Sequence, residues 1–181
     1  MKAHIITALS VLILALGVQA GHHEEGEPSE TTVIGTTYSE DGTAHRLFAG
    51  NTDNQQIWVD YIQAHNDRDL DKIAAINADD WTGYVPDGSV IEGNATHIEW
   101  LDEWFKSADN PQWTVKWMIA NSGSDDGGEL QTWLTTGNDI TFNDADGNPV
   151  TEHHVHDVQF VGNQIKPVSY THLRAHETFA N

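Results

Sequence analysis

The spacing of apolar residues changes once along this chain, and that change limits the fold more than any other feature. Ile57, Trp58, Tyr61, Ile62 and His65 fall at i, i+1, i+4, i+5 and i+8, one broad face of a helix. Asn66-Asp67 interrupts the pattern, and Leu70, Ile73 and Ala74 resume it as a second helix. A short strand follows, and Pro86-Asp87-Gly88 then forces a turn, because proline fixes φ and glycine accepts positive φ. After Gly93 a third helix buries Ile98, Leu101, Trp104, Phe105 and Ala108, until Asp109-Asn110-Pro111 ends it. Asn51 to Asp53 offers the cap of the first helix, and Asn94 or Thr96 that of the third.

From Gln112 the period is two. Trp113, Val115, Trp117 and Ile119 alternate with polar or flexible residues. Glu129 to Thr136, Val150 to Val161 and Gln164 to Ser169 continue as strands. They are separated by SGSDDGG (122–128), NDADGN (143–148) and Gly162-Asn163. Three helices followed by a meander of long antiparallel strands predict an α+β domain.

What precedes the helices reads differently. Lys2, the apolar run Ile5 to Val18 and the small-residue site Val18-Gln19-Ala20 form a secretory signal over residues 1–20. The run is short for a membrane span, and no cysteine follows to carry a lipid. The expected product is exported, periplasmic or secreted, with no membrane association once the signal is removed. Residues 21–50 are acidic, rich in Gly, Ser and Thr, and predict a flexible leader in which His22-His23-Glu24-Glu25 is a solvated tail. With 8 Lys+Arg against 28 Asp+Glu the net charge is −20, which repels nucleic acid and anionic lipid. The chain has no cysteine, so no disulfide supports it.

The order "YxxAxNxRDLDxIxxxxADD…PDG…I.G" between Tyr61 and Gly93 resembles the SnoaL-like branch of the nuclear transport factor 2-like superfamily. Ketosteroid isomerases, polyketide cyclases and dehydratases belong to it. The resemblance runs from about Gln55 to Ser169 and leaves 51–169 as the domain. It implies a curved antiparallel sheet wrapped around three N-terminal helices as a cone with a pocket inside. It also implies a small, largely apolar ligand, cofactor-free isomerase, cyclase or dehydratase chemistry, and a homodimer through the sheet face.

The densest chemistry is Glu152-His153-His154-Val155-His156-Asp157. In a strand His153, Val155 and Asp157 share one face, and His154 and His156 the other. The resemblance favours the first set as pocket. Asp157 of "HDV" falls where ketosteroid isomerases keep a protonated aspartic acid that, with a first-helix tyrosine, binds an enolate oxygen. Tyr61 matches that tyrosine. The isomerase general base does not carry over, because Val85 stands at its place and Asp87 lies two residues on, in the turn. His65, one helical turn after Tyr61, or His153 is the substitute base. Trp58, Trp81, Tyr84, Trp117 and Val155 are the expected pocket walls, and the other tryptophans read as core.

Two other readings stay open. A non-catalytic binding or dimerisation module fits the missing base at Val85. A metal-dependent hydratase or lyase fits the H-x-H pair His154 and His156, with His97 or Glu152 as a third ligand. Asp144-Ala145-Asp146-Gly147 is an ordinary turn, since a calcium loop would start at Phe142 and end at His153. No phosphate loop, G-x-S-x-G or H-E-x-x-H is present. Finally, VSYTHLRAHET (168–178) resembles library-adapter sequence, so residues 170–181 are read as a foreign tail carrying no function.

Overall fold

The computed structural model describes residues 32–85, 88–124, 128–144 and 146–173, the last four by backbone alone. The signal, His22-His23, Asp87 and the tail beyond Leu173 lie outside the described residues. Three helices form where the helical spacing runs: α1 (Asp53–Asp67), α2 (Leu70–Ile76) and α3 (Asn94–Ser107). Arg68 closes α1 in the left-handed region at φ 60°, and Asp69 caps α2 by accepting from the Lys72 backbone N–H. Gly93 at φ 87° precedes α3, so neither Asn94 nor Thr96 caps it; Asn94 bonds the Ala74 carbonyl and Asn77 instead.

The strands are β1 (Val33–Tyr38), β2 (Ala44–Ala49), β3 (Asn77–Tyr84), β4 (Val90–Glu92), β5 (Gln112–Ser124), β6 (Leu130–Asn143), β7 (Pro149–Val161) and β8 (Gln164–Leu173). They make one curved eight-stranded sheet in the order β1-β2-β5-β6-β7-β8-β3-β4. Among the described residues β3 and β8 are the one parallel pair, and the other pairs are antiparallel. The class is α+β, as the spacing predicts.

Two expectations change. Residues 33–49 are not a flexible leader: they form a hairpin, β1 and β2, added to β5 at the sheet edge. Its β-branched strand closes on Asp41-Gly42, with Gly42 at φ 83° and Asp41 accepting from Ser39 and Thr43. Also, β8 does not stop at Ser169 but pairs with β7 through Leu173, so the adapter-like stretch starts inside the sheet, with Val168 in the core.

The core collects Trp58, Tyr61 and Ile62 of α1, Ile73 of α2, Leu101 of α3 and Trp81 of β3. The sheet contributes Leu134, Val158, Phe160, Ile165 and Val168. Along β6 and β7 the even-numbered residues point to it: Leu134, Thr136, Asn138 and Ile140, then His154, His156, Val158 and Phe160. In β5 the phase slips. A bulge at Lys116 lets Trp117 pair with Gly137 although Val115 pairs with Asn138. Trp113 and Val115 therefore pack against the core, as do Met118 and buried Ala120, while Trp117 and Ile119 turn outward, 44% and 51% exposed.

Candidate functional site

Residues of the helices and of the sheet line an open cavity of about 790 Å³. Its walls include Trp58, Tyr61 and His65 of α1, His97 and Trp104 of α3, Trp81 of β3, Trp113 of β5, and His154 and His156 of β7. The face of β7 that enters the cavity is thus that of His154 and His156. The expectation that His153, Val155 and Asp157 line it is corrected by the register. Opposite Gly137, Val155 stands on the outer face, and His153 bonds Asp139 there at 2.6 Å. Asp157 is exposed and accepts from Thr135 at 2.7 Å. Tyr84, 49% exposed, and Trp117 are not walls either, whereas Trp58 and Trp81 are. Val85 does line the cavity, so an apolar group stands where the resemblance puts the isomerase base.

Three buried imidazoles, of His65, His97 and His156, are each fixed in one tautomer by their neighbours. An indole only donates, so Trp58 Nε1–H sets the Asn138 amide by donating to Oδ1 at 3.3 Å. Asn138 Nδ2 then donates to His156 Nδ1 at 2.9 Å, which places the His156 proton on Nε2. A parallel relay starts at Tyr61, whose hydroxyl donates to Asn77 Oδ1 at 2.9 Å. Asn77 Nδ2 donates to His97 Nδ1 at 3.0 Å, again leaving the proton on Nε2. His65 is the reverse. Its Nδ1–H donates to the Tyr61 carbonyl at 2.8 Å, so its Nε2 carries the lone pair.

All three are neutral. Burial pulls His65 down to about 4, His97 to about 3 and His156 to about 3. Nearby cationic or imidazole groups add to each: Arg68 for His65, His65 for His97, and His154 and His65 for His156. Burial likewise raises the Tyr61 phenol, so it is a donor and not an anion. Aromatic rings hold the set in place: His97 stacks on Trp81 at 3.6 Å, and His65 meets Tyr61 edge-on at 4.5 Å. Trp81 lies across Gly83, where a Cβ would collide with the indole. The Trp81 Nε1–H is buried with no hydrogen-bond partner.

The site thus sets the Nε2–H groups of His156 and His97 and the Nε2 lone pair of His65 among tryptophans. The rings of His154 and His156 are 5.9 Å apart, and His154 Nε2 faces Glu152 at 3.2 Å. Among the described residues no three His, Asp or Glu side chains are grouped as a metal ion requires. Asn77, Asn138 and the role of His97 were not anticipated. The one signal for Asn138 is its even parity with Leu134 and Ile140, a polar residue on a core face.

No protein-family model matches the chain, and no curated protein matches its sequence. Solved structures do match. One is a candidate ketosteroid isomerase from Kribbella flavida, 18% identical, with a TM-score of 0.55 over 68% of this chain and 80% of that one. The fold is that of the nuclear transport factor 2-like superfamily. A nuclear transport factor 2-like protein of unknown function from Burkholderia pseudomallei is 17% identical, with a TM-score of 0.52 over 68% of this chain and 92% of that one. A Catenulispora acidiphila protein with a ketosteroid isomerase-like fold, solved in complex with trimethylamine, is 12% identical. Its TM-score is 0.51 over 64% of this chain and 83% of that one. At these identities the likeness concerns the fold, which hosts many chemistries.

Proposed function

We propose that this chain is an exported protein whose sheet and helices form the cone of its superfamily, with a small, largely apolar molecule bound inside. The observation that carries the reading is the set of three neutral, tautomer-fixed imidazoles facing a tryptophan-walled cavity of about 790 Å³, a size suited to a drug-sized ligand. The chemistry it supports is cofactor-free proton transfer next to a carbonyl: isomerisation, cyclisation or dehydration. His97 Nε2–H polarises the oxygen, and His65 Nε2 takes the proton. A pKa of about 4 suits that base, since a carboxylate of comparable strength enolises substrate in ketosteroid isomerases. Tyr61 acts one step back, by orienting Asn77 and His97.

A second reading, a binding module without chemistry, is favoured by Val85 in the wall and by the engagement of the Tyr61 hydroxyl with Asn77. One experiment separates the two. Thermal unfolding is followed against steroid ketones, aromatic polyketide-like ketones and zinc, and α-hydrogen exchange of any binding ketone is followed by NMR. A ligand specific to the folded state raises the midpoint by mass action. Exchange lost in His65→Gln with binding retained supports the enzyme; binding with no exchange supports the module. If no ketone shifts the midpoint and zinc alone does, through His154 and His156, the metal-dependent reading replaces both.

A further inference from the structure

The polar rim of the cavity is chemically one-sided. Among the described residues that line it there is no Lys or Arg, but Asp109, Asp144 and Glu152 are there. The first two are brought together by a clasp between α3 and the β6–β7 turn. Asn143 N–H donates to the Asp109 carbonyl at 3.3 Å, and Asn143 Nδ2 donates to Asp109 Oδ2 at 2.7 Å. Asp144 is held ionised, well below the usual carboxylate range, by N–H donors of Asn148, its largest cause, and of Asp146 and Gly147. Ser107 and Ala108 line the same rim, so the negative end of the α3 dipole is added to the carboxylates. Lys106, in the last turn of α3, is taken up on the exposed side by Asp102 at 2.7 Å and Glu103 at 3.4 Å.

The wall beside that rim is aromatic. Trp100 and Trp104 stack with centroids 5.9 Å apart and planes 5° from parallel, and Trp104 meets Trp113 at 5.3 Å. All three line the cavity. Tryptophan faces are the strongest cation–π partners among side chains, and they favour weakly hydrated organic cations over compact metal ions. The buried rings of His65, His97 and His156 add no opposing charge, and the chain's net charge of −20 concentrates cations around it.

Resting on the cavity reading above, we propose that the ligand is an organic cation, an amine or quaternary ammonium. Its charge sits between Asp109, Asp144 and the faces of Trp100, Trp104 and Trp113, while its apolar part fills the interior. A neutral molecule of the same shape fills the interior without the charge contacts of the rim, and an anionic one is repelled by them.

The test compares benzyltrimethylammonium with its uncharged carbon isostere, neopentylbenzene, by tryptophan fluorescence and calorimetry on the whole protein. The cation is expected to bind about tenfold more tightly, with an advantage that shrinks as salt is raised. Asp109→Asn with Asp144→Asn keeps the acceptor oxygens of the clasp and turn, and should remove most of the preference while leaving neopentylbenzene binding unchanged. Trp104→Leu should weaken the cation more than the isostere. Equal binding of the two probes overturns the cation inference and leaves the apolar cavity standing. Binding of neither overturns both.

Discussion

The two faces of β5, β6 and β7 are written in the same stretches of sequence, yet they are opposite environments. On the inner face Asn138 and His156 are buried and linked to Trp58, and buried His154 lies beside His156. One residue away on the outer face, Asp139 is hydrogen-bonded to His153 at 2.6 Å and ion-paired with Lys116 at 3.3 Å, and Asp157 bonds Thr135 in the open. Residue type does not separate the faces, because both carry histidine and hydrogen-bonding polar groups. Parity separates them, and parity is set by which residues must be covered by the helices.

The largest contrast is in packing. Leu134 is fully buried at the centre of β6, and Leu134→Ala should cost roughly 2–5 kcal/mol in denaturant unfolding through a cavity the sheet cannot close. Ile119, just across on β5 but facing out, should cost well under 1 kcal/mol when replaced by Ala. Similar losses at the two positions would break the inside–outside assignment.

The polar counterparts come next. Asn138→Leu leaves both the Trp58 indole N–H and His156 Nδ1 without partners, at roughly 1–3 kcal/mol for each orphaned group. It also frees the His156 tautomer. Asp139→Asn, which weakens an exposed pair, should cost less than about 1 kcal/mol. Chemical unfolding of the two variants measures the gap, and ¹⁵N shifts of His156 report the tautomer.

Why was the fold legible and the site only partly so? The helices follow from one-dimensional spacing: Asn66-Asp67 marks the end of α1, Gly93 the start of α3, and Pro111 the stretch that follows its end. The hairpin of residues 33–49 had its own signal in Asp41-Gly42 between β-branched residues, but its acidic, Gly-rich surroundings read as disorder. Tyr61, His65, Trp58 and Trp81 were legible because a helix face or a strand next to a turn fixes their direction. The face of β7 was not. Alternation gives two sets, and choosing between them needs the register with β6, where Leu134 opposes Val158. Trp117 was misplaced by the bulge at Lys116, which no pattern of period two can reveal.

Acidification tests the inner histidines as a group. A buried histidine with a depressed folded pKa takes its proton more readily when unfolded, where its pKa is about 6.5. The stability is full above pH 6.5 and falls as pH drops toward 4 for His65 and 3 for His97 and His156. The slope is on the order of 1 kcal/mol per pH unit for each. His156→Gln should flatten that slope by about one third.

The last comparison is between two glycines that play the same part on different faces. Trp81 lies across Gly83 inside, and Trp117 lies across Gly137 outside; a Cβ at either position collides with the ring. The inner indole is wedged between Gly83 and its stack on His97, so Gly83→Ala must push it into the cavity or distort β3. Overpacking of this kind costs roughly 1–3 kcal/mol. Trp117 is 44% exposed and can swing into solvent, so Gly137→Ala should cost less than about 1 kcal/mol. Binding separates the two further. Gly83→Ala moves a cavity wall and should weaken any cavity ligand, whereas Gly137→Ala changes only the far side of the sheet and should leave the affinity as it is. A Gly137→Ala variant that lost affinity would mean that the outer face communicates with the cavity, and the sharp division between the two faces would fail.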